Sequence, residues 1–224
     1  IWGLSFSSDL FFLPSAGLFI LISGLIIGKL TSSFFMLEKE SEKTFIISSS
    51  LANQGFTMGG FICYLFYGEK GLGLSSIFIL FYLPYVFLII FPYARMKESF
   101  SWSFKQLKEL FIGFQNMPLY AITIALLLHG GGIERPDIYF PVNIFLFISI
   151  GIYYFTLGIN FSFSTVFSQL HIQAALAIIK FILVPLLVIG VLFTIPMDIT
   201  VRRIVIIQSF MPAAVFSVIS SVLY

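Results

Sequence analysis

One cysteine, Cys63, stands in 224 residues. An internal disulfide and a cysteine-ligated metal cluster are therefore both excluded, and the place of Cys63 in an apolar run reads as packing. Charge is scarce as well: Asp, Glu, Lys and Arg make up 10% of the chain, and their balance is +2. Such a small excess gives no reason to expect nucleic acid as a partner. No Asp or Glu falls deep inside a long apolar run, so the buried-carboxylate relay common in pumps has no visible candidate. Metal-ligand spacing is absent, and so are paired carboxylates and a nucleophile–base pair. We expect no metal and no cofactor, and enzymatic chemistry ranks last among the functions considered.

What the chain has is apolar length. It is 59% hydrophobic, with a mean hydropathy of +1.05. A soluble domain of this size could not hide that much apolar surface from water. Seven apolar segments can be read, at 9–30, 44–67, 71–94, 114–131, 140–159, 171–194 and 200–224. About 20 such residues cross a bilayer as a helix. None shows the sustained alternation of barrel strands, and backbone in lipid must bond to itself. The expected fold class is an all-α polytopic membrane protein. The chain opens on Ile1-Trp2 and stops at Tyr224 inside an apolar run, which reads as a piece of a longer protein.

Charge collects in the connections. Lys29, Lys39 and Lys43 lie among Glu38, Glu40 and Glu42, and the third connection carries Arg95, Lys97, Lys105 and Lys108. Within it, 97–114 is amphipathic and suits the membrane interface. Connections on the other side hold Lys70, Arg135, Arg202 and Arg203. The positive-inside rule then places connections 31–43 and 95–113 in the cytoplasm of a multi-pass cell-membrane protein.

Two segments are interrupted. The second contains Asn53-Gln54-Gly55 and again Gly59-Gly60, and the seventh contains Gln208, Ser209 and Pro212. Proline removes a backbone donor, and glycine leaves helical angles at little cost. Glycine is also ordinary packing material between membrane helices. A pair of such breaks at corresponding places in two halves points instead to a transporter binding site. The breaks lie five segments apart, and an odd offset gives repeats of opposite orientation. Half-helix N-termini would then aim partial positive charge at an anionic group.

The block NQGFTMGG followed by LFYGEKGLGLSSIF resembles the auxin efflux carrier family, within the bile acid, arsenite and riboflavin transporter-like superfamily. FQNMPLYAITIALLLHGGGIERPDIYF resembles that family's Asn-Pro opening of a second repeat. YYFTLGINFS, IIKFILVPLL and SFMPAAVFSVISSVLY resemble its later motifs, so the likeness spans nearly the whole chain. There are departures: Gly60 stands where the family places proline, and Met58 stands at the position of its second glycine. The resemblance implies a ten-helix fold of two inverted five-helix repeats with two broken crossing helices. Residues 1–94 would be the C-terminal part of the first repeat, 95–113 a cytoplasmic amphipathic connection, and 114–224 the second repeat without its last helix. It implies a secondary transporter or permease of a small organic anion, working by alternating access. Asn53, Gln54 and Gly55 would form one lip of the site, and Gln208, Ser209 and Pro212 the other. The expected partners are the lipid bilayer and the anion, with sodium or a proton as an open coupling ion and a homodimer left open. The alternative is a seven-helix receptor or sensor without transport.

Lys180 lies about ten residues into the sixth segment, where a charge costs several kcal/mol unless it faces protein, water or the interface. One reading is an internal cation that pairs with the anion or replaces a coupling ion. The other is a snorkelling lysine, or one bonded to carbonyls freed by Pro185. A Schiff-base lysine is set aside, because the count of seven segments follows from truncation. His129-Gly130-Gly131-Gly132 mimics an esterase oxyanion motif without the G-x-S-x-G elbow, so these glycines are read as a helix end. His171 reads as interfacial. Asn160-Phe161-Ser162 matches a glycosylation acceptor but falls in a connection expected to be cytoplasmic.

Overall fold

A computed structural model describes residues 8–94, 117–134, 141–159 and 169–214. Within them every regular element is helical, apart from one isolated antiparallel bridge. The amphipathic 97–114 stretch, the Asn160 acceptor and residues 215–224 lie outside the described residues.

Helix α1 (Ser8–Ser32) is followed by a short 3-10 turn. Helix α2 (Lys39–Ser50) then stops, and non-helical backbone runs through 51–58, bridged at Ala52 and turning over 55–58. The expected second interruption at Gly59-Gly60 is not a separate break, because these residues open helix α3 (Gly59–Phe78). Gly68 divides α3 with a φ of 58°, in the left-handed region that glycine enters without a Cβ penalty. The chain doubles back there: Gly71 sits against the Cys63 carbonyl, and Ser75 Oγ against Gly60. Helix α4 (Tyr82–Tyr85), a π-helical turn (Val86–Ile90) and α5 (Phe91–Ala94) complete the returning arm.

Helix α6 (Met117–Gly130) ends as the glycines foretell. Gly132, at φ 73°, donates to the His129 carbonyl, and Ile133 to that of Leu128. This is a Schellman stop, not an oxyanion loop. Helix α7 (Val142–Ile159) follows. Helix α8 (Leu170–Ile178), a second π turn (Ile179–Leu183) and α9 (Val184–Thr194) form one rod. Helix α10 (Ile199–Ser209) leads into the second break.

Among the described residues, four helical runs are long and apolar enough to cross a membrane: Leu10–Phe35, Gly59–Ala94, Val142–Ile159 and Leu170–Thr194. The second of these is the run folded at Gly68. The core forms where α1 meets α2, α3, α9 and α10, around Leu13, Ile20, Ile46, Phe78, Val188 and Ile204. Small residues make this approach close. A Cβ at Gly24 would collide with the Ser49 carbonyl, and one at Gly17 with the Phe78 carbonyl.

The connections sort to two ends. Lys43 Nζ donates to the Ala94 carbonyl at 3.3 Å, which joins the first connection to the start of the third. His171, which follows the fifth, lies with its ring 6.4 Å from that of Phe35 in the first. At the other end the charge of Lys70 acts on Asp198, and Tyr64 near the Gly68 turn bonds Asn143 at the start of α7. The described residues flanking the first, third and fifth connections thus share one end, and those at the second and sixth and flanking the fourth share the other.

Asp198 caps α10. Its Oδ1 accepts from the backbone N–H of Thr200 at 2.8 Å and of Val201 at 3.2 Å. These donors hold its carboxyl below the usual carboxylate range. The cap therefore stabilises fully above the unfolded-state pKa and is lost as pH falls through the folded-state value. Asp198→Ala should lower the melting temperature by about 2–4 °C at neutral pH, as expected for the loss of an N-cap worth about 1 kcal/mol. The difference from wild type should shrink in acid, which melting curves across pH would show.

Candidate functional site

The two breaks meet. The Asn53 N–H donates to the Pro212 carbonyl at 2.8 Å, and the Ala214 N–H to the Leu51 carbonyl at 3.0 Å. These bonds flank Ala52 and Ala213, which face each other as an antiparallel bridge. Leu51 and Ala52 are buried. Helix breaks leave backbone groups orphaned, and here each break supplies partners for the other. Pro212 suits its place because it offers a carbonyl and needs no partner for an N–H.

Asn53 is held on four sides. Its Nδ2 donates to the Tyr153 hydroxyl on α7 at 3.0 Å, and its Oδ1 accepts from Thr57 Oγ1 at 2.9 Å. Its N–H is in the bridge, and its carbonyl accepts from Gly59 N at 3.0 Å. Gly60 N donates to the Gly55 carbonyl. The first two N–H groups of α3 are thus taken up by their own loop, so in this arrangement the half-helix does not offer them to a ligand.

Gln54 and Gln208 are both buried. Gln208 Nε2 donates to Ser75 Oγ at 2.6 Å and lies 3.8 Å from Cys63 Sγ. Its Oε1 presses on Gly59, where a Cβ would not fit. Among the described residues Gln208 Oε1 and Gln54 Nε2 have no hydrogen-bond partner. Buried polar atoms are nearly always bonded, so the crossing holds one amide donor and one amide acceptor in reserve. Gly55 is half-buried and open on its Cα side. The Ser209 hydroxyl bonds back to the Ile206 carbonyl of its own helix at 2.7 Å.

Lys180 does not snorkel, and its partner is not a carbonyl freed by Pro185. It is 3% exposed, and its Nζ donates to the Ser50 carbonyl at 3.0 Å, on the last residue of α2. That carbonyl is free because the first break ends the helix. Ser50 is itself fixed, its hydroxyl donating to the Leu21 carbonyl at 2.8 Å and accepting from Tyr85 OH at 2.7 Å.

Sequence reasoning did not single out Ser50, Thr57, Ser75, Tyr85 or Tyr153. The Ser48-Ser49-Ser50 run just before a break was a signal that could have been used. So were tyrosines at mid-segment, whose hydroxyls need partners when buried.

Neither a search of curated proteins nor a search of solved structures found a match. A protein-family model described as membrane transport protein matches residues 4–224. Two broken helices bonded to each other inside an apolar bundle, together with a family match over nearly the full chain, lead to one conclusion: this chain belongs to the membrane transport protein family of the auxin efflux carriers.

Proposed function

We propose that the crossing of the two breaks is the substrate site of a secondary transporter that moves a small organic anion. The observation that carries this reading is the antiparallel pairing of 51–53 with 212–214 at buried depth. Backbone leaves helical geometry inside a membrane only where protein or a cavity receives it, and transporters build their sites from such paired discontinuous helices. Asn53, Gln54 and Gly55 form one lip, and Gln208, Ser209 and Pro212 the other. Side-chain amides donate to the anion, and the buried Lys180 ammonium supplies positive potential behind them.

On this reading residues 1–94 belong to the first of two inverted five-helix repeats and 114–224 to the second. The connections at 31–43 and 95–113 face the cytoplasm, as their Lys and Arg excess suggests. Alternating access comes from one bundle rocking against the crossing helices, with no covalent step.

The test is a thermal-shift panel on the purified protein that carries this chain. It contains mono- and dicarboxylates, aryl acetates and bile acids, each with and without sodium. One anion class should stabilise the protein, by about 2.7 kcal/mol at a hundred times its dissociation constant. Absence of any shift across the panel would remove the anion from the proposal.

A further inference from the structure

The interior holds a lysine whose own burial the anion site does not account for. Among the described residues no Asp or Glu is buried, yet Lys180 is. A buried ammonium without a carboxylate must be stabilised some other way. Here its partner is a backbone carbonyl at a helix C-terminus, where the summed peptide dipoles leave partial negative charge. In membrane transporters such C-terminal half-helix ends and unwound carbonyls are groups that hold inorganic cations.

We infer that the Lys180 ammonium occupies the seat of an inorganic monovalent cation at the broken end of α2, so that the crossing is held together without bound sodium or potassium. Three features fit a built seat rather than an accidental contact. The π turn Ile179–Leu183 carries Lys180, and such turns recur at functional positions. The Ser50 side chain is bonded on both sides, to Leu21 and Tyr85, which fixes the direction of its carbonyl. The donor is also covalently attached, so it meets this carbonyl at an effective concentration that no dissolved ion reaches.

The consequence for coupling rests on the crossing being the transport site: substrate would then move in the absence of sodium. The binding claim does not depend on it, so it is tested by melting rather than by transport. Wild-type protein should melt at the same temperature in choline, sodium or potassium chloride. Lys180→Ala should melt lower in choline by more than about 4 °C, and methylammonium or sodium should restore part of the loss. Wild type stabilised by sodium as strongly as the variant would overturn the inference. So would a Lys180→Ala loss that no small cation repairs. Should that variant not fold in any salt, Lys180→Met decides, because it keeps the stem and removes the charge. Lys180→Met melting below wild type supports the seat, and melting at or above wild type overturns it.

Discussion

With the proposed anion site at the crossing, Asn53→Ala is expected to weaken binding of the anion by about 10- to 100-fold, the size of one lost hydrogen bond to a charged group. Folding should suffer far less. The variant keeps the backbone bonds to Pro212 and Gly59 and loses only the side-chain bonds to Tyr153 and Thr57. Tyr153→Phe separates the two roles of this amide. It frees Asn53 Nδ2 from its partner on α7 without removing the donor, so binding should hold or tighten. Calorimetric titration of both variants with the stabilising anion provides the check. Normal binding by Asn53→Ala would take Asn53 out of the site. Equal losses in both variants would make the Asn53–Tyr153 pair a tether between elements and not a ligand contact.

Gly24→Val should be the most damaging change to stability, at about 3 kcal/mol or more. The added Cβ would strike the Ser49 carbonyl and come close to Ser50 Cα. Both are backbone atoms of α2, so no rotamer change relieves the clash. Parting α1 from α2 would also pull Ser50 from the Leu21 carbonyl it bonds, and with it the carbonyl that Lys180 meets. Gly190 provides the contrast, since a Cβ there meets nothing within 4 Å. Gly190→Ala should be neutral, or stabilising by up to about 1 kcal/mol through helix propensity alone. Melting curves of the two variants in detergent test the pair. Similar behaviour would mean that the α1–α2 approach is not tight in solution.

The bundle was largely legible because its signals are local. Apolar length marks the helices, Gly68 beside Glu69 and Lys70 marks the reversal, and His129 with three glycines marks a helix stop. The first break was visible in Asn53-Gln54-Gly55, whose residue types are out of place in an apolar run. Its extent was misjudged, because Gly59 and Gly60 look like a second interruption. They are glycine for another reason: Gln208 Oε1 lies against one and the Gly55 carbonyl against the other. That the two breaks belong together could be read from their glycine, amide and proline residues, but the backbone bridge between them could not. Its central residues are Ala52 and Ala213, and alanine advertises nothing. Lys180 could be recognised as costly, but its partner is a main-chain oxygen 130 positions away, and a carbonyl has no identity in a sequence.

That separation also bears on how the molecule is made. Helix α2 emerges with its last carbonyls unpaired, and the cation that meets one of them follows 130 residues later, about ten seconds at typical synthesis rates. The strand-like partner at 212–214 comes later still. Until then the broken end of α2 must find hydrogen bonds in water, in the insertion machinery or in transient neighbours, because lipid offers none. The crossing therefore assembles only after both of its halves have been made. A ribosome that stalls before Lys180 would leave the end of α2 unmet by the lysine and by 212–214 alike.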